Sequence, residues 1–223
     1  MPLVWRAAGG VHGYSAEDTT NYYVVTITVS QFVTCHLLWD IGLDIREGAF
    51  SSMLLRPLSH LSVSFSRNVA WRVGKLALFV PFLLVLIPFY GNANFGSLQM
   101  DCIFLIALIL GQTLAFLAAY SVAMLAMWTT EFVSLFQLYY FPELIFSGRV
   151  VPLTSLPDWA QSASQFLHFR YTVSFPAEIL LGRLSLNQIT VGLAIQLGWI
   201  ILFFGLSRIL FNLGVKKYSG FGM

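Results

Sequence analysis

Few side chains in this 223-residue sequence could do chemistry, and their spacing excludes most of what they could do. Glu143 is the one acidic residue inside an apolar stretch that approaches a membrane span. A carboxylate in that setting is costly and defaults to a functional role. Pro142 directly before it predicts a kink or a helix end. Glu143 therefore reads either as a residue on a substrate pathway or as an interfacial group paired with Arg149. His12, His36, His60 and His168 are scattered and lack HExxH spacing, so a metalloprotease is not expected. Cys35 and Cys102 supply neither a metal pattern nor a disulfide framework. No GxxxxGK[ST] loop is present, which excludes nucleotide hydrolysis by that route, and no GxSxG elbow is present either. No catalytic residue and no metal ligand is expected.

What would position these residues is a set of membrane helices. Hydrophobic residues make up 57% of the chain, charged residues only 10%, and mean hydropathy is +0.76. A soluble domain carries about 25% charged residues. A net charge of +2 is too small to suggest nucleic acid as a partner. A spanning helix needs about 20 mostly apolar residues, and five segments meet or approach that: 22–39, 69–90, 102–128, 132–147 and 191–213. Residues 1–21 show no basic region followed by a long apolar run, so no secretory signal is expected there. The fold class expected is an all-α polytopic membrane protein, with residues 1–223 as a single transmembrane domain.

Basic residues orient the segments. Arg46, Arg56, Arg67, Arg72, Lys75, Arg208, Lys216 and Lys217 fall on one side, and Arg6, Arg149, Arg170 and Arg183 on the other. Eight against four places residues 40–68 and the C-terminus in the cytoplasm. On that assignment Cys35 and Cys102 lie near opposite membrane faces, which argues against a bridge.

Residues 40–61 (DIGLDIREGAFSSMLLRPLSHL) are neither a span nor a featureless linker. Ile41, Ile45 and Ala49 recur at helical spacing, with Asp40, Asp44, Arg46 and Glu47 on other faces. Gly48 permits a break and Pro57 stops any preceding helix. Two readings stay open: a surface helix that docks on a cytoplasmic partner, or an interfacial helix lying on anionic headgroups. Within 102–128, Ala107, Gly111, Ala115, Ala119 and Ala123 form a row of small residues four apart, which is helix-packing chemistry. Gln112 beside the row reads as an interhelical hydrogen-bonding group. Residues 149–188 are too polar to cross twice and predict two short helices in the outer leaflet, one with Ser155 as N-cap and Pro157 in its first turn, the other over 176–181. Trp159, Ala163 and Phe166 would form the first helix's apolar face, with Trp159 and Tyr171 at headgroup depth.

The blocks FPELIFSGRVVPL at 141–153 and DIREGAFSSMLLRPL at 44–58 resemble the permease subunits of ABC-2 type exporters, and the similarity runs over nearly the whole chain. The resemblance implies a six-helix permease in the bacterial plasma (inner) membrane that forms homo- or heterodimers with a second permease subunit. A separate cytoplasmic ATPase would bind ATP and Mg, so this chain binds no cofactor itself. It makes Asp44, Arg46, Glu47, Leu54, Leu55, Arg56 and Pro57 the segment that contacts the ATPase. It makes Pro142, Glu143, Arg149 and Trp159 candidate pathway or outer-gate residues. Five candidate spans against the family's six, with Leu3-Val4-Trp5-Arg6 resembling the exit of a helix, suggest that the first helix is lacking. Two other functions are compatible with the composition: a membrane-embedded structural or assembly subunit, and a proton-coupled carrier using Glu143. No residue identifies the substrate.

Overall fold

A bilayer offers no hydrogen-bond partners to a free backbone, so apolar runs fold as helices that satisfy their own N–H and C=O groups. The computed structural model describes residues 16–86, 98–129 and 132–218, and every regular element among them is helical. In chain order these are α1 (Ala16–Val33), α2 (Leu37–Arg46), α3 (Ala49–Leu54), α4 (His60–Leu86), α5 (Leu98–Met124), α6 (Phe132–Phe146), α7 (Asp158–Phe166), α8 (His168–Thr172), α9 (Ser174–Leu180) and α10 (Leu186–Lys217). By length and composition, three stretches can cross a membrane: Asn21–Arg46, Met100–Met127 and Leu186–Lys217; α6 is a shorter apolar helix. The chain is thus an all-α polytopic membrane protein. The segment expected at 69–90 lies in α4 as far as Leu86, and residues 87–90 fall outside the described residues, as do residues 3–6.

The centre of the bundle is α5, against which α10, α2, α9, α8 and α1 all pack. Its small residues explain why so many neighbours can approach. Ala107, Ala119 and Ala123 are at most 1% exposed, and Ala115 and Gly111 are buried as well. A Cβ on Gly111 would sit 2.8 Å from the Thr172 carbonyl oxygen, so the end of α8 rests directly on the α5 backbone. Gln196, fully buried on α10, donates from Nε2 to the Tyr171 carbonyl at 2.7 Å and to the Ala107 carbonyl at 3.1 Å. Three elements meet at that amide. Lower on the same pair, the Ser121 hydroxyl donates to the Phe203 carbonyl at 3.2 Å. The last helix begins with a capping box between Ser185 and Gln188 and ends in Lys216 and Lys217, whose charge suits a helix C-terminus.

The first long apolar stretch is broken. Between α1 and α2, residues 34–36 leave the helix, which frees carbonyls that have no partner one turn on. Arg72 of α4 supplies the donors: Nη2 reaches the Val33 and Thr34 carbonyls at 2.9 Å each, while Nε binds Asn68. Asn68 in turn donates to Cys35 Sγ and accepts from Gln112 Nε2 at 2.7 Å, which ties α5 into the same network.

Residues 149–188 differ from the expected helix pair. Ser155 lies in a short 3-10 turn, Leu153–Ser155, and α7 starts at Asp158 with Pro157 as its N-cap. The buried side of α7 is Ala160 and Ser164, whereas Trp159 and Phe166 are 71% and 79% exposed. Polar Gln161 is half-buried, and its amide donates to the Thr154 and Leu156 carbonyls of the preceding turn. Two further helices follow rather than one, and the second runs from Ser174 to Leu180, two residues earlier than its expected start. Every residue from Tyr171 to Ala177 is buried, Tyr171 included, so α8 and α9 are folded into the bundle rather than lying over it. His168 sits among Phe169, Phe203, Trp199 and Tyr139, with ring centroids 4.0, 4.8, 5.6 and 6.1 Å away.

Gly111→Ala is expected to destabilise the protein by about 1–3 kcal/mol, because the methyl meets a backbone oxygen rather than a side chain that can turn aside. Gln196→Leu strands the Tyr171 carbonyl and is expected to cost a similar amount. Both are read from thermal unfolding of the purified protein in detergent; either variant melting like the parent would show that α8 is not anchored there.

Candidate functional site

The segment between the broken helix and α4 forms a sharp corner. After α2, Gly48 adopts a φ of 78°, a conformation that side chains with a Cβ rarely take, and the chain reverses into α3. Ile41 and Ile45 are buried in the main core, but the turn at Gly48 takes Ala49 out of their register and leaves it exposed. Phe50 takes over as the buried anchor, at 0% exposure. Beyond it Met53 and Leu54 are half-buried, while Leu55 is 88% exposed and Arg56, Pro57 and Leu58 stand clear of the fold. Arg46 and Glu47 are exposed at the other shoulder of the corner. Asp44 is engaged with Arg67 of α4 at 2.9 Å, which fixes α2 to α4. The outer surface of the corner therefore carries Arg46, Glu47, Leu55, Arg56 and Pro57.

Beneath that surface lies an aromatic hub. The Phe50 ring is 4.8 Å from His60 and 5.2 Å from Tyr218, centroid to centroid. His60 stacks on Phe211 of α10 at 5.7 Å, and its Nδ1 shares a 2.9 Å hydrogen bond with the Tyr120 hydroxyl of α5. Ser51 and Tyr218 meet through their hydroxyls at 3.1 Å. The corner is thus bolted to both long helices that carry the bundle. Next to the hub is a cavity of about 240 Å³ with walls from Met53, Leu54, His60, Tyr120, Arg208 and Phe211. Its lining is mostly apolar, and the polar contacts of the hub beside it include the His60–Tyr120 and Ser51–Tyr218 bonds.

At the other end of the bundle, Glu143 forms an ion pair with Arg149 at 2.8 Å, with both side chains mostly buried. Pro142 lies inside α6, which continues to Phe146. Gly148, at φ 75°, lets the chain turn there, and its carbonyl accepts a 2.7 Å hydrogen bond from Tyr22 of α1. Tyr23 donates to the Val150 carbonyl at 3.0 Å. Trp159 stands apart from this pair on the exposed side of α7. Among the described residues no cluster of His, Cys, Asp or Glu could hold a metal ion, and Cys35 and Cys102 are both free thiols.

The predicted residues thus divide into two places. Arg46, Glu47, Leu55, Arg56 and Pro57 share the corner surface, whereas Asp44 is turned to α4 and Leu54 to the hub cavity. The row from Ala107 to Ala123 is interior packing. Sequence reasoning missed the hub itself: His60, Tyr120 and the pair Phe211 and Tyr218 come from three segments 60 or more positions apart, and a lone histidine after a proline carries no pattern. Only the apolar Phe50 in an otherwise polar turn hinted at a buried anchor.

Burial pushes the His60 imidazole down from the ordinary 6.5 to about 4. Between those values the unfolded chain takes up a proton and the folded one does not, so stability is complete above about 6.5 and falls as the pH drops towards 4. His60→Phe is expected to flatten this part of the profile, which amounts to about 3 kcal/mol at most. Unfolding midpoints at a series of pH values in detergent check it; equal slopes for parent and variant would contradict a neutral buried imidazole.

No curated protein and no solved structure matches the chain. A family model does match, over residues 1–222, and its description is ABC-2 family transporter protein. Together with the apolar helices and the helical fold, that match shows that the chain belongs to this family, the membrane-embedded permease component of an ABC transporter.

Proposed function

We propose that the protein is the permease subunit of an exporter, driven by a separate cytoplasmic ATPase that docks on the corner between α2 and α4. The observation that carries this reading is the construction of the corner: a protruding surface with an apolar Leu55 at 88% exposure, flanked by Arg46, Glu47 and Arg56, on a base joined to α5 and α10 through aromatic contacts and the His60–Tyr120 hydrogen bond. An exposed leucine with charges of both signs around it suits a protein partner better than a bilayer surface, where an excess of one sign is favoured. In this mechanism ATP binding closes two ATPase subunits, each pushes on one corner, and His60 and Phe50 pass the displacement to the long helices. Two permease chains, identical or related, then enclose the substrate pathway between them in a bacterial plasma membrane. ATP and Mg belong to the partner.

Glu143 has a structural part in this reading. Its carboxylate is neutralised by Arg149 at the turn that follows α6, and no other titratable group among the described residues hydrogen-bonds to it for a proton relay.

Glu47→Ala with Arg56→Ala is expected to weaken capture of the cognate ATPase from membranes by about tenfold or more, while the permease itself still folds. Unchanged capture and unchanged transport would overturn the docking surface and favour a structural subunit. Glu143→Gln leaves Arg149 unpaired and is expected to lower the yield of folded protein without altering the pH dependence of transport. Transport that survives ATP depletion but collapses in Glu143→Gln would instead show a proton-coupled carrier.

A further inference from the structure

Facing the break between α1 and α2, the charges on α4 do not balance. A cavity of about 140 Å³ opens there, and Arg67, Arg72, Lys75, His36 and Asp40 contribute to its walls. Asp40 is the only carboxylate among the described residues that line it. Arg67 is already satisfied by Asp44. Arg72 and Lys75 form no ion pair among the described residues. Arg72 is only 9% exposed, and although Nε and Nη2 are engaged by Asn68 and the two freed carbonyls, Nη1 is buried without a partner. Carbonyls and an amide orient a guanidinium but do not neutralise it. A buried cation without a counter-charge is expensive, so the arrangement is one that a bound anion would complete.

Size and position narrow the anion. A pocket for a whole drug-sized molecule measures about 300–1,000 Å³, so about 140 Å³ admits a small ionic group and leaves any tail outside. Trp71 lines the cavity and is 66% exposed, and offers an apolar surface for such a tail. A guanidinium and an ammonium converging on one small space are the donors that phosphate oxygens take. The strictly apolar part of α4 begins after Lys75, so the cavity lies at the basic boundary of the membrane, where tryptophan is also favoured.

We propose that this cavity binds a phosphate-bearing anion, with Arg72 and Lys75 as its counter-charges. The phosphate belongs either to the headgroup of an inner-leaflet lipid or to a soluble solute, and the site stands whether or not the exporter reading does.

The full-length protein in phosphatidylcholine nanodiscs, titrated with phosphatidylglycerol and read by native mass spectrometry, tests it. The parent is expected to retain phosphatidylglycerol about fivefold better than Lys75→Gln. Lys75→Arg is expected to restore retention, and Lys216→Gln, on the exposed C-terminal turn away from the cavity, to leave it unchanged. Equal retention by parent and Lys75→Gln overturns the proposal, and so does an equal loss in Lys216→Gln, since the effect would then be general surface attraction. Should Lys75→Gln not fold, retention by the parent that is indifferent to NaCl overturns the site in its place. Glycerol 1-phosphate that displaces the lipid supports the site and assigns the soluble source; failure to displace, with lipid retention intact, supports it and assigns the lipid.

Discussion

The constraint on which this architecture depends is the supply of donors to carbonyls that leave a helix where the packed bundle shuts water out. At three points among the described residues where the chain leaves a helix, one polar side chain arrives from a distant element. Arg72 answers for Val33 and Thr34, Gln196 for Tyr171, and Tyr22 for Gly148. Each bond is worth little against water but much against hydrocarbon, where the alternative is an unmade bond. These few contacts fix the relative positions of α1, α4, α5, α8 and α10, and the apolar packing closes around them.

The corner obeys a different rule because its outer side faces water. There the backbone can turn freely at Gly48, and what must be secured is the inner side. Aromatic rings do this through Phe50, His60, Phe211 and Tyr218, whose contacts are tight but weakly directional. An interface of that kind keeps its cohesion over small rotations, whereas a polar network such as that around Asn68 has one arrangement only. The two ends of the bundle are thus held by chemically distinct means, compliant at the corner and rigid at the helix break.

Much of the fold was legible in the sequence because spanning imposes length and composition directly: the apolar runs ending near Trp128 and Leu213 could scarcely be anything but long helices. The small-residue row was legible for the same reason, since close helix approach demands it. Three features were not. The break at residues 34–36 contains neither glycine nor proline, so nothing local announces it; it is stabilised by a guanidinium 38 positions away from Thr34. Arg72 read as a topology signal, because a basic residue before an apolar run carries that meaning by default. The buried position of α8 and α9 was hidden by their polar residues: Thr172 and Ser174 turn back on the Phe169 carbonyl and the Glu178 carboxylate, so a segment that reads as wet is satisfied internally. The corner surface was visible through a resemblance and through Pro57, but the hub that gives it mechanical meaning depends on contacts between positions far apart in the chain.

The last helix has a mechanical consequence of its own. Its 32 residues extend about 48 Å, well beyond a hydrocarbon layer about 30 Å thick, so it projects from the membrane and carries Tyr218 out to the corner. The Ser121–Phe203 bond lies near its middle, about 26 Å from one end and about 21 Å from the other. Gln196 holds the same helix about 10 Å further along, so a sideways push at the Tyr218 end falls on the arm beyond Phe203 and is resisted by two fixed points, not one.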